Sequence, residues 1–229
     1  MPLKIIFMGT PEFAVPILKA VHNSKHDILS VYTQPPKKQS RGQNITSSPI
    51  QKCAIDLQIS YRCPENLNNE EEYSFIKKIK PDVVIVVAYG QIIPKKILDL
   101  NEINFINIHA SLLPKWRGAA PIQRAIMNMD KETGISIMKI ENELDAGPVM
   151  KFKKIQITSE CNFESLSKKM SHMAASTIIE CLEILEKNEQ KFTPQEKTKA
   201  TYAKKISKME SKISWQNSAE SIVAKINAL

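Results

Sequence analysis

The sequence predicts an α/β protein built on an open, mostly parallel sheet with flanking helices. Short apolar segments alternate with amphipathic segments, the order of strand and helix that is typical of parallel α/β folds. Val83–Val87 is apolar at every position, as expected for a central strand that is buried on both faces. The last of the six glycines is Gly147, and several follow predicted strands directly. Ligands of open α/β sheets bind at such strand ends, so we expect the functional site there.

The chain opens with a predicted strand, turn and helix. Leu3–Met8 is an apolar run that stops at Gly9, and Pro11 suits the first turn of the helix that follows. The turn contains one glycine rather than the G-x-G-x-x-G pattern, so dinucleotide binding has poor support. Ile28–Tyr32 predicts the second strand.

The later elements follow from the same two periodicities. Further strands are predicted at Phe105–His109, Ile135–Ile140 and Val149–Ile157, and a helix is predicted at Pro121–Met127. Apolar residues from Phe163 to Leu185 recur mainly at three- and four-residue steps, which predicts one long amphipathic helix with Asn162 as its N-cap.

Composition indicates which partners, which cellular compartment and what relation to membranes to expect. The 32 basic and 24 acidic residues leave a formal net charge of +8, which favours phosphate-rich partners but is equally expected from a general bias towards lysine. The four cysteines include no C-x-x-C pair, so we expect reduced thiols in a cytoplasmic protein. The longest apolar stretch, Val83–Tyr89, is far too short to span a bilayer, and no membrane association is expected.

His22 and His26 have the i, i+4 spacing of a helical metal site. Two ligands do not make a site, and the neighbouring sequence offers no third. We therefore expect no metal.

Asn107 and His109 are the strongest candidates for catalysis. Residues i and i+2 of a strand point to the same face, so an amide and an imidazole are expected side by side at the end of the Phe105–His109 strand. The amide can donate to a carbonyl oxygen that gains negative charge, and the imidazole can accept and return a proton. Asp145 lies in a downstream Gly/Pro turn and supplies an acid that could orient the imidazole ring.

With the runs around them, these residues resemble the folate-dependent formyltransferases, most closely those that act on methionyl-tRNA. The resemblance extends from Gly9-Thr10-Pro11-Glu12-Phe13-Ala14, through His109-Ala110-Ser111-Leu112-Leu113-Pro114, to Ile213-Ser214-Trp215. It implies a Rossmann-like formyltransferase fold, with Asn107, His109 and Asp145 as the catalytic trio. It also implies 10-formyltetrahydrofolate as the formyl donor, methionyl initiator tRNA as the acceptor, and a monomeric cytoplasmic enzyme of translation initiation.

Two segments match the folate-contacting parts of that family. One is Ser111-Leu112-Leu113-Pro114, and the other is Ala88-Tyr89-Gly90 at the end of the central strand. Both would also be explained as ordinary loops at strand ends. Trp116 stands where the family commonly has tyrosine, so a hydroxyl role at this position is in doubt.

A basic loop after the second strand is the candidate tRNA contact. Residues 34–51 are rich in Pro, Ser and Thr and contain Lys37, Lys38 and Arg41 but no acidic residue. Such a loop can bind a phosphate backbone, and the resemblance places an arginine at position 41 near the acceptor arm of tRNA. The alternative is a solvated loop without a nucleic-acid partner.

The resemblance also predicts how the chain is organised. Residues 1–189 would form the N-terminal catalytic domain, and residues 190–229 a Lys-rich linker and the start of a truncated C-terminal domain. Two other functions stay open: a nucleotide-sugar amine N-formyltransferase, and a non-catalytic folate- or RNA-binding module. The Gly118-Ala119-Ala120-Pro121 run and the basic loop favour tRNA over a sugar.

Overall fold

The computed structural model describes residues 1–39, 44–100 and 102–229. These residues divide into two units. The first unit consists of residues 1–108 and 175–190, and the second consists of residues 109–174 and 191–229. The predicted division into a catalytic domain of residues 1–189 and a linker with a truncated domain at 190–229 stays a prediction.

Within the described residues there are eleven strands and seven helices. The strands are β1 (Lys4–Gly9), β2 (Asp27–Tyr32), β3 (Lys37–Gln39), β4 (Asn44–Thr46), β5 (Tyr61–Arg62), β6 (Val83–Val87), β7 (Asn104–His109), β8 (Arg117–Gly118), β9 (Glu132–Lys139), β10 (Val149–Gln156) and β11 (Tyr202–Ala203). The helices are α1 (Val15–His22), α2 (Pro49–Asp56), α3 (Glu70–Ile79), α4 (Lys95–Leu98), α5 (Pro121–Met127), α6 (Phe163–Glu186) and α7 (Ala219–Ala228). A mostly parallel seven-stranded sheet with flanking helices confirms the predicted fold class.

In the first unit the sheet strands are parallel and follow the order β7-β6-β1-β2-β5. The centre of this sheet is the core, because β1 and β6 are apolar on both faces. Phe7 of β1 pairs with Val31 of β2 and with Ile85 of β6, and all three side chains are fully buried. Each such side chain contributes about 1.5–3 kcal/mol through its removal from water. The parallel order brings the ends of β6, β1 and β2 to one edge of the sheet.

The first helix begins later than the sequence predicts. Pro11 precedes a short 3-10 turn, Glu12–Ala14, and it is Pro16 that occupies the first turn of α1. His26 lies beyond the end of α1, so the i, i+4 helical pairing with His22 does not form. Its Nδ1 instead accepts a hydrogen bond from the backbone N–H of Leu3 at 3.1 Å. Among the described residues, no cluster of three or more His, Cys, Asp or Glu side chains could hold a metal.

Three helices of the first unit, α2, α3 and α4, are additional to the predicted elements. Helix α2 begins at Pro49, after Ser48 whose hydroxyl accepts from the backbone N–H of Gln51 at 2.9 Å. Helix α3 begins after Asn69, whose side-chain oxygen accepts from the N–H of Glu72 at 2.8 Å. Both starts have the capping residues that favour a helix N-terminus.

The second unit contains the antiparallel pair β9–β10, in which Phe152 lies opposite Ser136. A second, short pair joins β8 to β11 in parallel, with Gly118 opposite Ala203. Helix α7 packs against α5, burying Ala224 at 9% exposure and Ala228 at 1%. Residues 191–229 are therefore folded onto the second unit.

Helix α6 begins as the sequence predicts. The predicted cap of α6 is present, because the Asn162 side chain accepts from the N–H of Ser165 at 2.9 Å. In the described parts of the chain, no helix has the length and apolar character needed to cross a membrane.

Candidate active site

His109 ends β7 with its imidazole nearly buried, at 6% exposure. Its Nε2 lies 2.8 Å from the backbone carbonyl oxygen of Trp116. Its Nδ1 lies 3.6 Å from Oδ2 of Asp145, whose side chain is 13% exposed. The structure thus brings together the imidazole and the carboxylate that the sequence could not connect.

The two oxygens around the ring define where its protons go. A carbonyl oxygen only accepts hydrogen bonds, so Nε2 carries a proton in the neutral ring and Nδ1 has the lone pair. That lone pair faces the Asp145 carboxylate. A proton taken up by Nδ1 is therefore stabilised by a negative charge close by, which suits general acid–base chemistry.

Asp145 is fixed by the main chain of the β8 segment. The backbone N–H of Gly118 donates to Oδ2 of Asp145 at 2.8 Å. Asp145 itself has φ of 49°, in the left-handed region that non-glycine residues seldom adopt. Trp116 also has a positive φ, of 61°. Trp116 and Gly118, two residues apart in the chain, thus hold the two members of the His109–Asp145 pair.

Two residues outside the predicted site contact this arrangement. Arg117 has only 1% exposure, and its guanidinium donates to the Gln195 side-chain oxygen. The Gln195 amide in turn donates to the backbone carbonyl oxygens of Asp145 and Gly147. Nothing in the local sequence pattern indicates Gln195, which lies in the polar segment predicted as linker. Arg117 lies three residues after the predicted folate-contacting segment Ser111–Pro114 and immediately before Gly118, so its position in the chain was a usable signal.

Asn107 lies two residues before His109 on β7, at half-buried exposure. Strand alternation puts these two side chains on one face of β7, as the sequence predicts. The catalytic role of Asn107 stays a prediction.

The Ser111–Pro114 loop is held against β9. Ser111 is fully buried, and its hydroxyl donates to the carbonyl oxygen of Lys115 at 2.5 Å. The Ser136 hydroxyl donates to the Ser111 carbonyl at 2.7 Å and accepts from the Leu113 N–H at 3.1 Å. Leu113 also packs in a buried cluster with Met138 and Val149. These hydrogen bonds and the packing of Leu113 therefore fix the conformation of the loop. Its contact with folate stays a prediction.

The Trp116 side chain lies beside a cavity of the second unit. Its indole N–H donates to Oδ2 of Asp130 at 2.7 Å, so the polar group of this side chain has a partner within the protein. The cavity has a volume of about 390 Å³. It is lined by Leu112, Leu113, Lys115, Trp116, Asp130, Glu132, Thr133, Phe152 and Lys154. The catalytic candidates His109 and Asp145 are not part of its lining.

In the first unit, Ala88, Tyr89 and Gly90 follow β6 at the carboxyl edge of the sheet. The Tyr89 carbonyl accepts from the Thr10 hydroxyl at 2.8 Å and from the Gln34 side-chain amide at 3.1 Å. Three loops, after β1, β2 and β6, therefore meet at this carbonyl. Ala88 and Gly90 are exposed whereas Tyr89 is buried at 1% exposure, and burial raises the pKa of its hydroxyl.

The predicted basic loop is only partly described. Lys37 lies on β3, is exposed, and donates from Nζ to the Gln34 side chain. Lys38 pairs through its backbone with Ile45 in the antiparallel β3–β4 ladder, so this segment is more regular than the predicted loop. Arg41 lies outside the described residues.

Comparison with known proteins decides the family. The sequence pattern of the family described as formyl transferase matches residues 3–182. The chain belongs to the formyl transferase family. A methionyl-tRNA formyltransferase of Pelagibacter ubique (strain HTCC1062) is 56% identical over 230 residues, which is 100% of this chain and 74% of that protein. One from Coxiella burnetii (strain RSA 331 / Henzerling II) is 45% identical over 228 residues, or 100% of this chain and 73% of that protein.

Solved structures agree with the formyl transferase fold. An N-formyltransferase from Helicobacter canadensis, in complex with folinic acid and dTDP-3-aminofucose, superposes with a TM-score of 0.75. The alignment covers 100% of this formyl transferase and 80% of that chain, at 20% sequence identity. At that identity the likeness establishes the shared fold.

Proposed function

We propose that this chain transfers the formyl group of 10-formyltetrahydrofolate to the amino group of methionyl initiator tRNA. The observation that carries the proposal is the His109–Asp145 pair, in which the ring is buried and the carboxylate is 13% exposed, held by main-chain groups of Trp116 and Gly118. Relatives of 45–56% identity over the whole chain, all named methionyl-tRNA formyltransferase, support the choice of acceptor. The reaction would prepare the initiator tRNA for protein biosynthesis.

The reaction moves one acyl group and one proton. The free amine attacks the formyl carbon, a C–N bond forms, and the bond between the formyl carbon and N10 of the folate breaks. The amine loses one proton and N10 gains one, so atoms and charge balance. His109 relays this proton, and Asp145 stabilises the ring while it carries the additional charge. Asn107 donates to the oxygen that becomes negative in the tetrahedral intermediate.

The first unit offers groups suited to a folate ring. The exposed main chain at Ala88 and Gly90 has donors and acceptors, which a pterin can match with its own ring nitrogens and carbonyl. The Tyr89 hydroxyl is buried and has no hydrogen-bond partner among the described residues. It could therefore form a hydrogen bond with a polar group of a ligand. These features fit a polar heterocycle, and we propose that this segment contacts the folate. Ser111–Pro114 is proposed separately as a folate contact, from its match to the folate-contacting run of the family.

The identity of the acceptor is tested by comparing three candidate substrates. Initial rates of formylation are measured with charged initiator tRNA, a nucleotide amino sugar and glycinamide ribonucleotide, each with the same formyl donor. We expect the largest kcat/KM for tRNA, and loss of that activity in His109→Ala. A larger kcat/KM for the amino sugar would contradict the proposal and favour the nucleotide-sugar enzyme. Folate binding without any formylation would favour the non-catalytic alternative.

We also propose that the protein acts as a monomer in the cytoplasm. All four cysteines are described and none forms a disulfide, which is compatible with a reducing compartment. Light scattering coupled to gel filtration tests the oligomeric state, and a mass of 25.9 kDa is expected. A mass near twice this value would contradict the monomer.

A further inference from the structure

The Gln195 side chain bridges a buried arginine and the turn that carries Asp145. Its Oε1 accepts from Nε and Nη2 of Arg117, at 3.1 and 2.9 Å. Its Nε2 donates to the carbonyl oxygen of Asp145 at 2.8 Å and to that of Gly147 at 2.7 Å. Gln195 is separated from Asp145 by 50 positions in the sequence.

These contacts fix the orientation of the Gln195 amide. The guanidinium of Arg117 only donates, so the amide oxygen must face it. The carbonyls of Asp145 and Gly147 only accept, so the amide nitrogen must face them. A reversed amide would place like groups opposite each other at all four contacts. Gln195 therefore has one orientation in which each of its hydrogen-bonding groups is used.

Arg117 depends on this bridge as much as the turn does. A buried guanidinium is costly unless its N–H groups have acceptors, and Arg117 is 1% exposed. Besides Gln195, its Nη1 contacts Oε1 of Glu143 at 3.2 Å, but the Glu143 side chain is 57% exposed. Gln195 supplies the acceptor for two of the buried guanidinium nitrogens, which keeps Arg117 in place.

The Asp145 turn needs external support. A non-glycine residue with φ of 49° persists only where its surroundings hold it there. Gln195 binds the carbonyls of both Asp145 and Gly147, on either side of Ala146, while the N–H of Gly118 binds the Asp145 carboxylate. The turn is thus held at its backbone by Gln195 and at its side chain by Gly118.

We propose that Gln195 is a positioning residue for Asp145. Through Arg117 it joins the Asp145 turn to the Trp116–Gly118 segment, so that the carboxylate and the His109 ring keep their separation. This inference rests on the proposed function, because it matters for turnover only if Asp145 assists His109. It makes residue 195, in the segment after α6, part of the apparatus that sets the catalytic geometry.

The neighbouring main chain supports this assignment. The N–H of Trp116 donates to the Thr201 hydroxyl at 2.9 Å, and the N–H of Arg117 donates to the Thr201 carbonyl at 2.8 Å. The N–H of Ala119 donates to the Ala203 carbonyl at 2.9 Å. The segment that carries Gln195 therefore runs along the Trp116–Ala119 chain and is held to it by backbone hydrogen bonds.

Substituting Gln195 by glutamate separates the two halves of its role. In Gln195→Glu the carboxylate still accepts from Arg117, but it cannot donate to the carbonyls of Asp145 and Gly147. We expect kcat for formyl transfer to fall ~10–100-fold because the Asp145 carboxylate is misplaced, with KM for the folate little changed. In Gln195→Ala, kcat for formyl transfer should fall as well. Its Tm should also be lower than that of the parent, because the buried Arg117 guanidinium loses an acceptor. Glu196→Gln, which changes an exposed neighbour, is the matched control and should behave as the parent.

A second readout does not require activity. The Gly118 N–H donates to Asp145, so its amide exchange with solvent, followed by NMR, reports whether the turn stays in place. We expect faster exchange at Gly118 in Gln195→Glu than in the parent and in Glu196→Gln. A kcat of Gln195→Glu within about twofold of the parent would overturn the inference, whether or not the amide exchange at Gly118 changes.

The outcomes also separate this inference from the proposed function. If the parent formylates no acceptor, the proposed function fails, and the exchange at Gly118 alone judges the positioning: unchanged exchange in Gln195→Glu overturns it. If the parent is active and both kcat and Gly118 exchange change in Gln195→Glu, the inference is supported.

Discussion

The N–H of Gly118 donates to Oδ2 of Asp145 at 2.8 Å, although the two residues are 27 positions apart. Gly118 has φ of +114°, and a Cβ at this position would lie 2.9 Å from the carbonyl oxygen of Ala203. The conformation that aims this N–H at the carboxylate is thus one that a residue with a side chain rarely adopts. The same glycine sets both the approach of β11 and the position of Asp145.

We predict that Gly118→Ala lowers both stability and turnover. The positive φ and the close backbone contact should cost roughly 1–3 kcal/mol of unfolding free energy. The displaced N–H should lower kcat ~10-fold or more. Urea denaturation and steady-state kinetics are the measurements. Ala119→Ser, at the exposed next position, is the control, and a Gly118→Ala protein as stable as this control would contradict the prediction.

His109→Ala and Asp145→Asn should each lower kcat by ~10²–10³, with roughly unchanged affinity for the folate. Both side chains act on charge and protons that develop during the reaction rather than on the bound formyl donor. Steady-state kinetics and equilibrium binding of the folate measure the two effects separately. Glu164→Gln, at an exposed position of α6, is the control. A nearly normal kcat for either variant would remove that residue from the mechanism.

Glu72 and Glu71 offer a matched test of burial in ion pairing. Glu72 is 5% exposed and accepts from Arg62 at 2.8 Å through both carboxylate oxygens, and from the Tyr32 hydroxyl at 2.7 Å. Burial, with the Glu72 hydrogen bond, raises the pKa of Tyr32. Glu71 contacts the same arginine but is 79% exposed.

Glu72→Ala should therefore destabilise the protein by about 2–4 kcal/mol, because Arg62 and Tyr32 lose a buried partner. Glu71→Ala should change the unfolding free energy by less than about 1 kcal/mol, since solvent screens an exposed pair. Urea denaturation of both variants tests the difference. Equal losses would show that burial does not control the energetics of this cluster.

Stability between pH 4.5 and about 2 should depend on Glu210. Hydrogen bonds from Arg124 and from the backbone of Ser207 lower the pKa of Glu210 from 4.5 to about 2. The unfolded state therefore binds this proton at a higher pH than the folded state does. The stabilisation is fully present above pH 4.5 and is lost as pH falls through the folded pKa of about 2.

Glu210→Gln should flatten the pH dependence of the unfolding free energy in this window. The measurement is a series of urea denaturation curves at several pH values from 6 down to the acid limit of folding. Glu160→Gln, which removes an exposed carboxyl of the second unit, is the control and should keep the dependence of the parent. The same slope in Glu210→Gln as in the parent would exclude this carboxyl as the cause.

Lys37→Ala combined with Arg41→Ala should weaken the use of charged tRNA and leave folate affinity unchanged. Each lost phosphate contact should lower the slope of log K against log salt by ~0.7–0.9. KM for tRNA across a salt series provides the slope. Lys187→Ala with Lys191→Ala removes the same charge from exposed positions elsewhere and is the control. An unaltered slope in the first variant would exclude the basic loop as a tRNA contact.

Much of the fold could be predicted because its signals are local. The apolar run Val83–Val87 is the buried strand β6, and the predicted helix Pro121–Met127 coincides with α5. Strand alternation alone puts Asn107 and His109 on one face of β7. In each case the information lies within a few consecutive residues, where backbone geometry converts spacing directly into direction.

Some local signals are present but weak. Ser48 before Pro49, and Asn69 before three glutamates, mark the starts of α2 and α3, yet both helices are short, at 8 and 10 residues. Pro11 and Pro16 are both compatible with a first helical turn, and the structure selects Pro16. Packing against the sheet decides such cases, because propensity differences between these alternatives are small.

By itself, the sequence determined the order of the elements, the apolar core of the parallel sheet, and His109 and Asp145 as chemical candidates. Only the tertiary structure decided that the His109 ring meets the Asp145 carboxylate, at 3.6 Å. Only the tertiary structure also showed that a glutamine from a polar segment 50 residues later holds the Asp145 turn. The physical reason is that hydrogen bonds between distant segments depend on how the chain returns to the site. A polar residue outside any periodic pattern carries no signal of that return.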